Sequence, residues 1–449
     1  MTKTPVRQGR ILSLVASAAF VAGIVAGGIL ALGVRTDAAA EPDLAALKAS
    51  FRRPAAIPFP ANNPFSEHKR ALGERLFHDT ALSVDGSLSC AGCHDRGKGF
   101  ADGRAHGKGV PGRPLARHTP GLWNLAWASS VFWDGRAKNL EQQVFSPIES
   151  PEEMAQPLDP LIKRLGADRT YVQAFAKAFP KKPKVDAANV AQAIATYERA
   201  LVSPPTRFDR WVDGDERALT AREIDGFRLF TGKAACAQCH KGFAFTDYNF
   251  YDTGLADDDR GRGAVLRLPA AEHAFKTPGL RELVRSAPYM HDGSLATLTE
   301  VVRHYESGMT ERPTLASELP RKLVLSDDER AALVAFLESL SSDAEPLPPA
   351  RIVAQAAKSL APAVRTSTVT QDDKSFRPTR IALRRGDHVW ILNNDTRTHN
   401  VRVFDRKLDF DSGAQEPGET VEIAFPKAGS YLVFCGIHPK MELTVDVRR

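Results

Sequence analysis

The pentapeptide CAGCH at residues 90–94 returns as CAQCH at residues 236–240. Two thiols separated by two residues and followed by histidine are the attachment signature of c-type haem. The thiols form thioethers with the vinyl groups, and the adjacent histidine meets the iron. Cys90, Cys93, Cys236 and Cys239 are therefore expected to hold two covalently bound haem c groups, with His94 and His240 as proximal ligands. One such motif alone would also suit a redox disulfide or half of a zinc site; two complete copies select haem. The remaining cysteine, Cys435, stands in CGIHPKM at residues 435–441. Cysteine, histidine and methionine at that spacing, with a histidine far upstream, form the soft mixed ligand set of a type 1 copper ion. No cysteine is left for a disulfide, and the chain reads as an electron-transfer protein with three centres.

Outward from the haem motifs the pattern is helical, loop-rich and repetitive. Leu76-Phe77 precedes the first motif and Leu229-Phe230 the second; Phe100 and Asp102 follow the first, Phe245 and Asp247 the second. This shared grammar predicts two related, mainly α haem domains. Apolar spacing predicts helices over Asp159–Ala178, Asp186–Ala200 and Ser326–Leu340, the last with Ser326 as N-cap and Glu329 closing a capping box. Composition shifts at Ser341, where SSDAEPLPPA begins a linker. Beyond Thr366 the period changes to that of strands: VWILNN, HNVRVF, TVEIAF and YLVFC are β-branched or aromatic runs separated by turn residues, as in a small all-β sandwich. The expected organisation is multidomain: a membrane anchor or signal peptide (1–40), a tether (41–64), two haem domains (65–205 and 206–342), a linker (343–365) and a β-sandwich (366–449).

At 449 residues, 43% hydrophobic and 25% charged, the chain is long enough for two or three domains with cores of their own. The formal charge of +6 is modest, and no long basic run with interleaved aromatics marks a nucleic-acid partner. Lys3, Arg7 and Arg10 precede an uncharged apolar stretch from Ile11 to Val34, long enough to span a bilayer. Its length favours a retained anchor, while Ala38, Ala39 and Ala40 offer a cleavage site before Glu41. Either way the remainder is exported, which agrees with covalent haem and mononuclear copper, and the expected address is the periplasm, with the N-terminal helix in the inner membrane.

The C-terminal sequence FRPTRIALRRGDHVWILNNDTRTHNVRVF (376–404) with YLVFCGIHPKM (431–441) resembles the cupredoxins, especially the amicyanin-like group with a short ligand loop. The resemblance makes His399 and His438 the imidazole ligands of copper, Cys435 the thiolate and Met441 the weak axial thioether, and it gives Asn400 the task of tying the histidine loop to the cysteine loop. The alternative is a domain that has kept this fold and lost the metal.

Three longer stretches, LGERLFHDTALSVDGSLSCAGCHDRGKGFADG (72–103), SSVFWDGRAKNLEQQVFSPIESPEEM (129–154) and TPGLRELVRSAPYMHDGSLATLTEVVRHY (277–305), together with the second haem motif, resemble the bacterial di-haem cytochrome c peroxidase and MauG family. That resemblance makes the N-terminal haem the peroxide site, with Glu153 as general acid–base, Gln143 orienting the ligand and Pro147 in the pocket wall. It sets Trp133 between the haems. Taken alone, Glu153 would pass for a residue of a polar surface loop and Trp133 for a buried aromatic. The family's peroxidases carry a methionine where this chain has Tyr305, the residue found in MauG, so Tyr305 is the expected sixth ligand of the second haem, with Met290 and Met309 as rivals. The loop GKGVPGRPLAR (107–117) lacks the distal histidine of reductively activated members, His106 being the near candidate, which favours an open first haem. His118 replaces the family's calcium-binding asparagine, so calcium is not assumed, although the Ser286 and Pro288 carbonyls remain available. His291 matches the histidine of the family's PYMHDG segment, a position that implies a role in structure or haem hydrogen bonding and not in metal ligation.

The resemblances imply a peroxidase that reduces hydrogen peroxide to water with electrons from an external donor, such as a small cytochrome, copper protein or quinol-linked donor, relayed through the fused copper domain. Two alternatives stay open. One is a MauG-like enzyme that oxidises residues of a partner protein through a high-valent di-haem state; the other is a non-catalytic electron-transfer or copper-binding conduit.

Overall fold

The structure is a computed structural model that describes residues 44–110, 112–343, 366–405, 408–425, 427–438 and 440–448. The apolar segment expected to anchor the chain, and nearly all of the 343–365 linker, lie outside the described residues. Among those described, no helix is long and apolar enough to cross a membrane.

The fold is multidomain, helical through residue 343 and all-β from residue 366. Two helix pairs organise the helical part. Glu67–Phe77 begins where the Ser66 side chain accepts the Lys69 N–H, and Ala221–Thr231 begins at a Thr220–Glu223 capping box. The first packs across Ala187–Arg199 and the second across Asp327–Glu338. Asp186 caps one of these later helices, and the Ser326–Glu329 box legible in the sequence caps the other. Both crossings are built on glycine. A Cβ on Gly73 would sit 1.9 Å from the Ala193 carbonyl oxygen, and one on Gly226 would sit 2.0 Å from that of Ala332, so a larger residue at either position would drive the helices apart.

Each pair closes its own core. Leu76, Phe77, Leu82, Ile148, Phe175 and Ile194 are buried in the first. The second is aromatic, with Phe208, Trp211, Phe227, Phe230, Phe245 and Phe336 meeting mainly edge to face. Two expectations need correction. Asp159–Ala178 forms two helices, Leu158–Ala167 and Arg169–Ala178, because Asp168 leaves helical geometry and its carboxylate accepts the Thr170 and Tyr171 N–H groups, which starts a new helix. The described part of the 41–64 stretch is docked instead of forming a free tether. Leu44–Ser50 is helical, Phe51 enters the second core against Phe208 and Phe245, and Asn63 is buried with Glu141 and Lys69 as partners. Single anchoring residues do this, and an Ala- and Pro-rich composition conceals them.

Two short antiparallel strands, β1 (Phe250–Tyr251) and β2 (Phe275–Lys276), lie within the second helical half. The C-terminal region forms β3 (Thr366–Asp372), β4 (Ser375–Arg377), β5 (Arg380–Arg384), β6 (His388–Asn393), β7 (Arg402–Asp405), β8 (Leu408–Asp411), β9 (Thr420–Ala424), β10 (Gly429–Phe434) and β11 (Glu442–Arg448). They make two sheets, ordered β5-β11-β10-β7-β8 and β4-β3-β6-β9. Alternation turns Val389 and Ile391 of β6, Tyr431 and Val433 of β10, and Leu443 and Val445 of β11 into one shared core. β7 pairs with β10, Arg402 opposite Phe434. That register brings the turn ahead of β7 beside the turn that follows β10, and the turns carry His399 and Cys435.

Candidate redox centres

Both haem motifs are built alike. Each opens a single helical turn, and the histidine N–H closes it on the first cysteine's carbonyl, at 2.8 Å for His94 and 2.9 Å for His240. Each imidazole is then oriented by the backbone of the repeated phenylalanine: His94 Nδ1 is 2.8 Å from the Phe100 carbonyl oxygen, and His240 Nδ1 is 2.9 Å from that of Phe245. A carbonyl only accepts, so Nδ1 carries the proton and Nε2 is left with a lone pair for iron. Phe100 and Phe245 achieve this with left-handed backbones, φ 61° and 54°, and their buried rings hold that conformation in place. Burial also lowers both histidine pKa values and pushes the Cys93 and Cys239 thiols up to about 11 and Cys236 up to about 12. Such thiols are poor nucleophiles, unlike those of a redox disulfide.

A cavity of about 1100 Å³ runs between the motifs. His94, Cys93, Cys236, Cys239 and His240 line it, as do Gln143, Pro147, Glu153, Trp133 and Tyr305. Its size lies just above the range of ordinary ligand cavities, about 300–1,000 Å³, and its apolar walls and paired attachment motifs fit two macrocycles.

The repeat extends further than the haem motifs. TPGL occurs at residues 119–122 and again at 277–280, and in the same register Asp134-Gly135 corresponds to Asp292-Gly293. Left-handed residues recur in step: Asn124 and Glu282 at φ 62° and 61°, Phe132 and Met290 at 70° and 73°, Gly135 and Gly293 at 67° and 64°. The halves also exchange backbone hydrogen bonds. The His118 N–H donates to the His291 carbonyl at 2.8 Å, and the Lys276 N–H donates to the Trp133 carbonyl at 2.7 Å. In this register Trp133 corresponds to His291, Gln143 to Val301, and Pro147 to Tyr305. Where the second half presents a phenol to the cavity, the first presents a ring with no ligating atom.

Trp133 sits at that junction, its indole N–H 2.9 Å from the His118 carbonyl and its ring 6.4 Å from that of His291. Tyr305 lies on the π-helical turn His304–Gly308, and burial raises its phenol pKa. Of its rivals, Met290 lines the cavity and Met309 does not. Desolvation raises the Glu153 pKa, with Arg136 opposing it, which suits a group that must both take and return a proton. His106 belongs to a separate cavity of about 370 Å³, with Asp257, His291 and Asp292. Ser286 and Pro288 line the large cavity, while His118 Nδ1 is engaged by the Arg104 carbonyl at 2.7 Å.

Two charged side chains in the wall of the large cavity, the buried Glu198 and the half-buried Lys276, carry no signal in the sequence. Glu198 is 4% exposed and desolvation pushes it up to about 8; Lys276 is pushed down to about 8 by the same cause. Glu198 stands on the helix Ala187–Arg199 and Lys276 on the short strand β2, both in sequence where a charged residue ordinarily faces water.

In the β-sandwich, His399, Cys435 and His438 converge. The two Nδ1 atoms are 3.0 Å apart, and Cys435 Sγ is 3.8 Å from each. Met441 is buried in the adjoining core, its N–H donating to the His438 carbonyl at 3.0 Å. Asn400 ties the two loops as expected: its N–H points at Cys435 Sγ at 3.5 Å, and its Oδ1 accepts the Gly436 N–H. One imidazole-thiolate-imidazole set beside a methionine fits copper of the type 1 class.

Fold and site together define a di-haem c-type cytochrome extended by a cupredoxin-like domain. The chain belongs to the di-haem cytochrome c peroxidase and MauG family. The family model for di-haem cytochrome c peroxidase matches residues 67–217, and that for a cupredoxin-like domain matches residues 332–445. The methylamine utilization protein MauG of Methylorubrum extorquens is 45% identical over 71% of this chain and 93% of its own length. Cytochrome c551 peroxidase of Pseudomonas aeruginosa is 35% identical over 62% and 80%. Among solved structures, a MauG-like protein associated with microbial copper homeostasis superposes with a TM-score of 0.60 at 32% identity, over 65% of this chain and 95% of that one. Family and domain together imply haem and copper.

Proposed function

We propose that the protein is a peroxidase that reduces hydrogen peroxide to two waters, consuming two protons and two electrons that reach the haems through its own copper domain. The observation that carries this reading is the single cavity joining both haem motifs, with Glu153 and Gln143 in the wall of the half that has Pro147 in place of a ligand. Bound haem supplies the iron that peroxide meets and the store for its two oxidising equivalents. Gln143 holds the peroxide by hydrogen bonding. Glu153 takes the proton from the near oxygen and delivers it to the far one, which then leaves as water. Phe100 and Phe245 keep the proximal imidazoles in their ligating tautomer, and Trp133 offers a short route across the junction between the halves. We assign the mature protein to the periplasm, tethered to the inner membrane by Ile11–Val34, because covalent haem and copper both suit that compartment. Its external donor is a small redox protein or a quinol-linked one.

A second reading has specific support. Tyr305, with the 45% identity to a MauG protein, favours oxidation of residues on a partner protein; a built-in reductant argues against it, since copper would quench the oxidant. The test is Cys435→Ser in the holoprotein. The copper-relay reading expects the thiolate-to-copper absorption to vanish, peroxide to react as fast as before, and steady-state turnover with external donors to fall. Turnover equal to the parent's with every donor would remove copper from the electron path and leave partner oxidation as the better account.

A further inference from the structure

We propose that Asp395 is a positioning residue of the copper site: its carboxylate grips His399 from behind and biases the site toward Cu(II). The inference rests on the copper reading above. His399 turns Nδ1 toward Cys435 and His438, and its opposite nitrogen, Nε2, lies 3.1 Å from Asp395 Oδ2. Both side chains are buried, at 0% and 5% exposure. The carboxylate is itself fixed. Oδ2 accepts the Lys374 N–H at 3.0 Å, and Oδ1 accepts the Thr396 N–H at 2.7 Å and faces Arg397 Nη1 at 3.3 Å. The loop beneath is held by Asn393, whose Oδ1 accepts the Asp395 N–H and whose Nδ2 donates to the Arg397 and Gln415 carbonyls.

Two consequences follow from this arrangement. An acceptor on Nε2 puts the imidazole proton there, so the Nδ1 lone pair is ready for metal in every molecule. An anionic acceptor also makes the imidazole a stronger donor, and strong donors favour the more highly charged ion. His438 is half-buried, and among the described residues no carboxylate is bonded to it, so the two imidazoles are unequal: one backed by a charge, the other not. A copper site biased toward Cu(II) is the better reductant, which is what passing electrons to oxidised haems requires.

The experiment uses the full-length holoprotein and reads the copper potential by spectroelectrochemistry, alongside separate Cu(I) and Cu(II) affinities. Asp395→Asn keeps the shape and an acceptor for Nε2 but removes the charge. It is expected to keep the thiolate-to-copper band and to shift the Cu(II):Cu(I) affinity ratio about tenfold toward Cu(I), a rise of about 59 mV for one electron, with both haem potentials unmoved. Asp395→Leu removes the acceptor too and should weaken copper binding about 10- to 100-fold. Asp395→Glu should return the ratio toward the parent's. If Asp395→Asn matches the parent in potential and in both affinities, Asp395 is a loop strut and the proposal is overturned. A parent that takes up Cu(II) without a thiolate band would overturn the copper reading itself, and the role of Asp395 with it.

Discussion

The two haem halves share one scaffold and differ at the positions that face the cavity. Both cross their helices on a glycine, Gly73 and Gly226, and both orient the proximal histidine with a left-handed phenylalanine. Both repeat TPGL and the Asp-Gly turn in register. Against that constancy stand Pro147 opposite Tyr305, Gln143 opposite Val301 and Trp133 opposite His291. The residues that attach and orient haem belong to the repeated scaffold, and the differing side chains line the cavity between the motifs, where the proposed function has them set the chemistry of each iron.

That contrast can be broken directly. Pro147→Tyr gives the first half the residue of the second; it should fill the open coordination position and abolish peroxide binding, read as loss of the high-spin signal at unchanged haem content. A variant that stays high-spin and reactive would show that register alone does not place a ligand. Smaller in effect, Glu153→Gln should slow O–O cleavage about 100- to 10,000-fold while both haems remain attached. In the parent that step should speed up as pH rises through the Glu153 pKa, which desolvation sets above the ordinary carboxylate range, and the variant should lose the dependence. Unchanged peroxide kinetics would return Glu153 to the surface loop.

The shared part of the comparison makes gentler predictions. Gly73→Ala and Gly226→Ala should each destabilise the holoprotein by about 1–3 kcal/mol through overpacking, measured by denaturant melts; a cost confined to one half would mean that the crossings are not equivalent. The smallest effect concerns Glu198. Its raised pKa favours the folded state fully below the ordinary value of 4.5, and that contribution is lost as pH rises through about 8. Glu198→Gln should flatten that part of the stability profile. A parent whose stability does not fall across this window would show that Glu198 ionises without cost.

Much of this was legible in the sequence. The haem motifs, the change from helical to strand period beyond Thr366, and the Cys435-His438-Met441 spacing are local patterns that can be read without the fold. The Ser326–Glu329 cap is another, since both partners of the capping box stand three residues apart at the start of the helix. Other features depend on contacts between distant segments. Phe51 gains its role from Phe208 and Phe245, and Asp168 breaks a helix because its side chain competes for the next backbone N–H groups. Glu198 and Lys276 look like solvent-facing residues until a cavity closes over them, and Asp395 becomes informative only when the loop folds its carboxylate onto His399. The TPGL repeat is an intermediate case. It stands openly in the sequence, but its meaning, Pro147 set against Tyr305, emerges from matching dihedrals.

The spin states of the as-isolated diferric holoprotein show whether the first haem is open and the second closed. Electron paramagnetic resonance should resolve one high-spin haem, open beside Pro147, and one low-spin haem ligated by His240 and Tyr305, and added peroxide should react without prior reduction. Two six-coordinate low-spin haems, inert to peroxide until an electron is supplied, would mean that neither iron is open in the diferric protein and that Tyr305 and Pro147 do not set the difference between them.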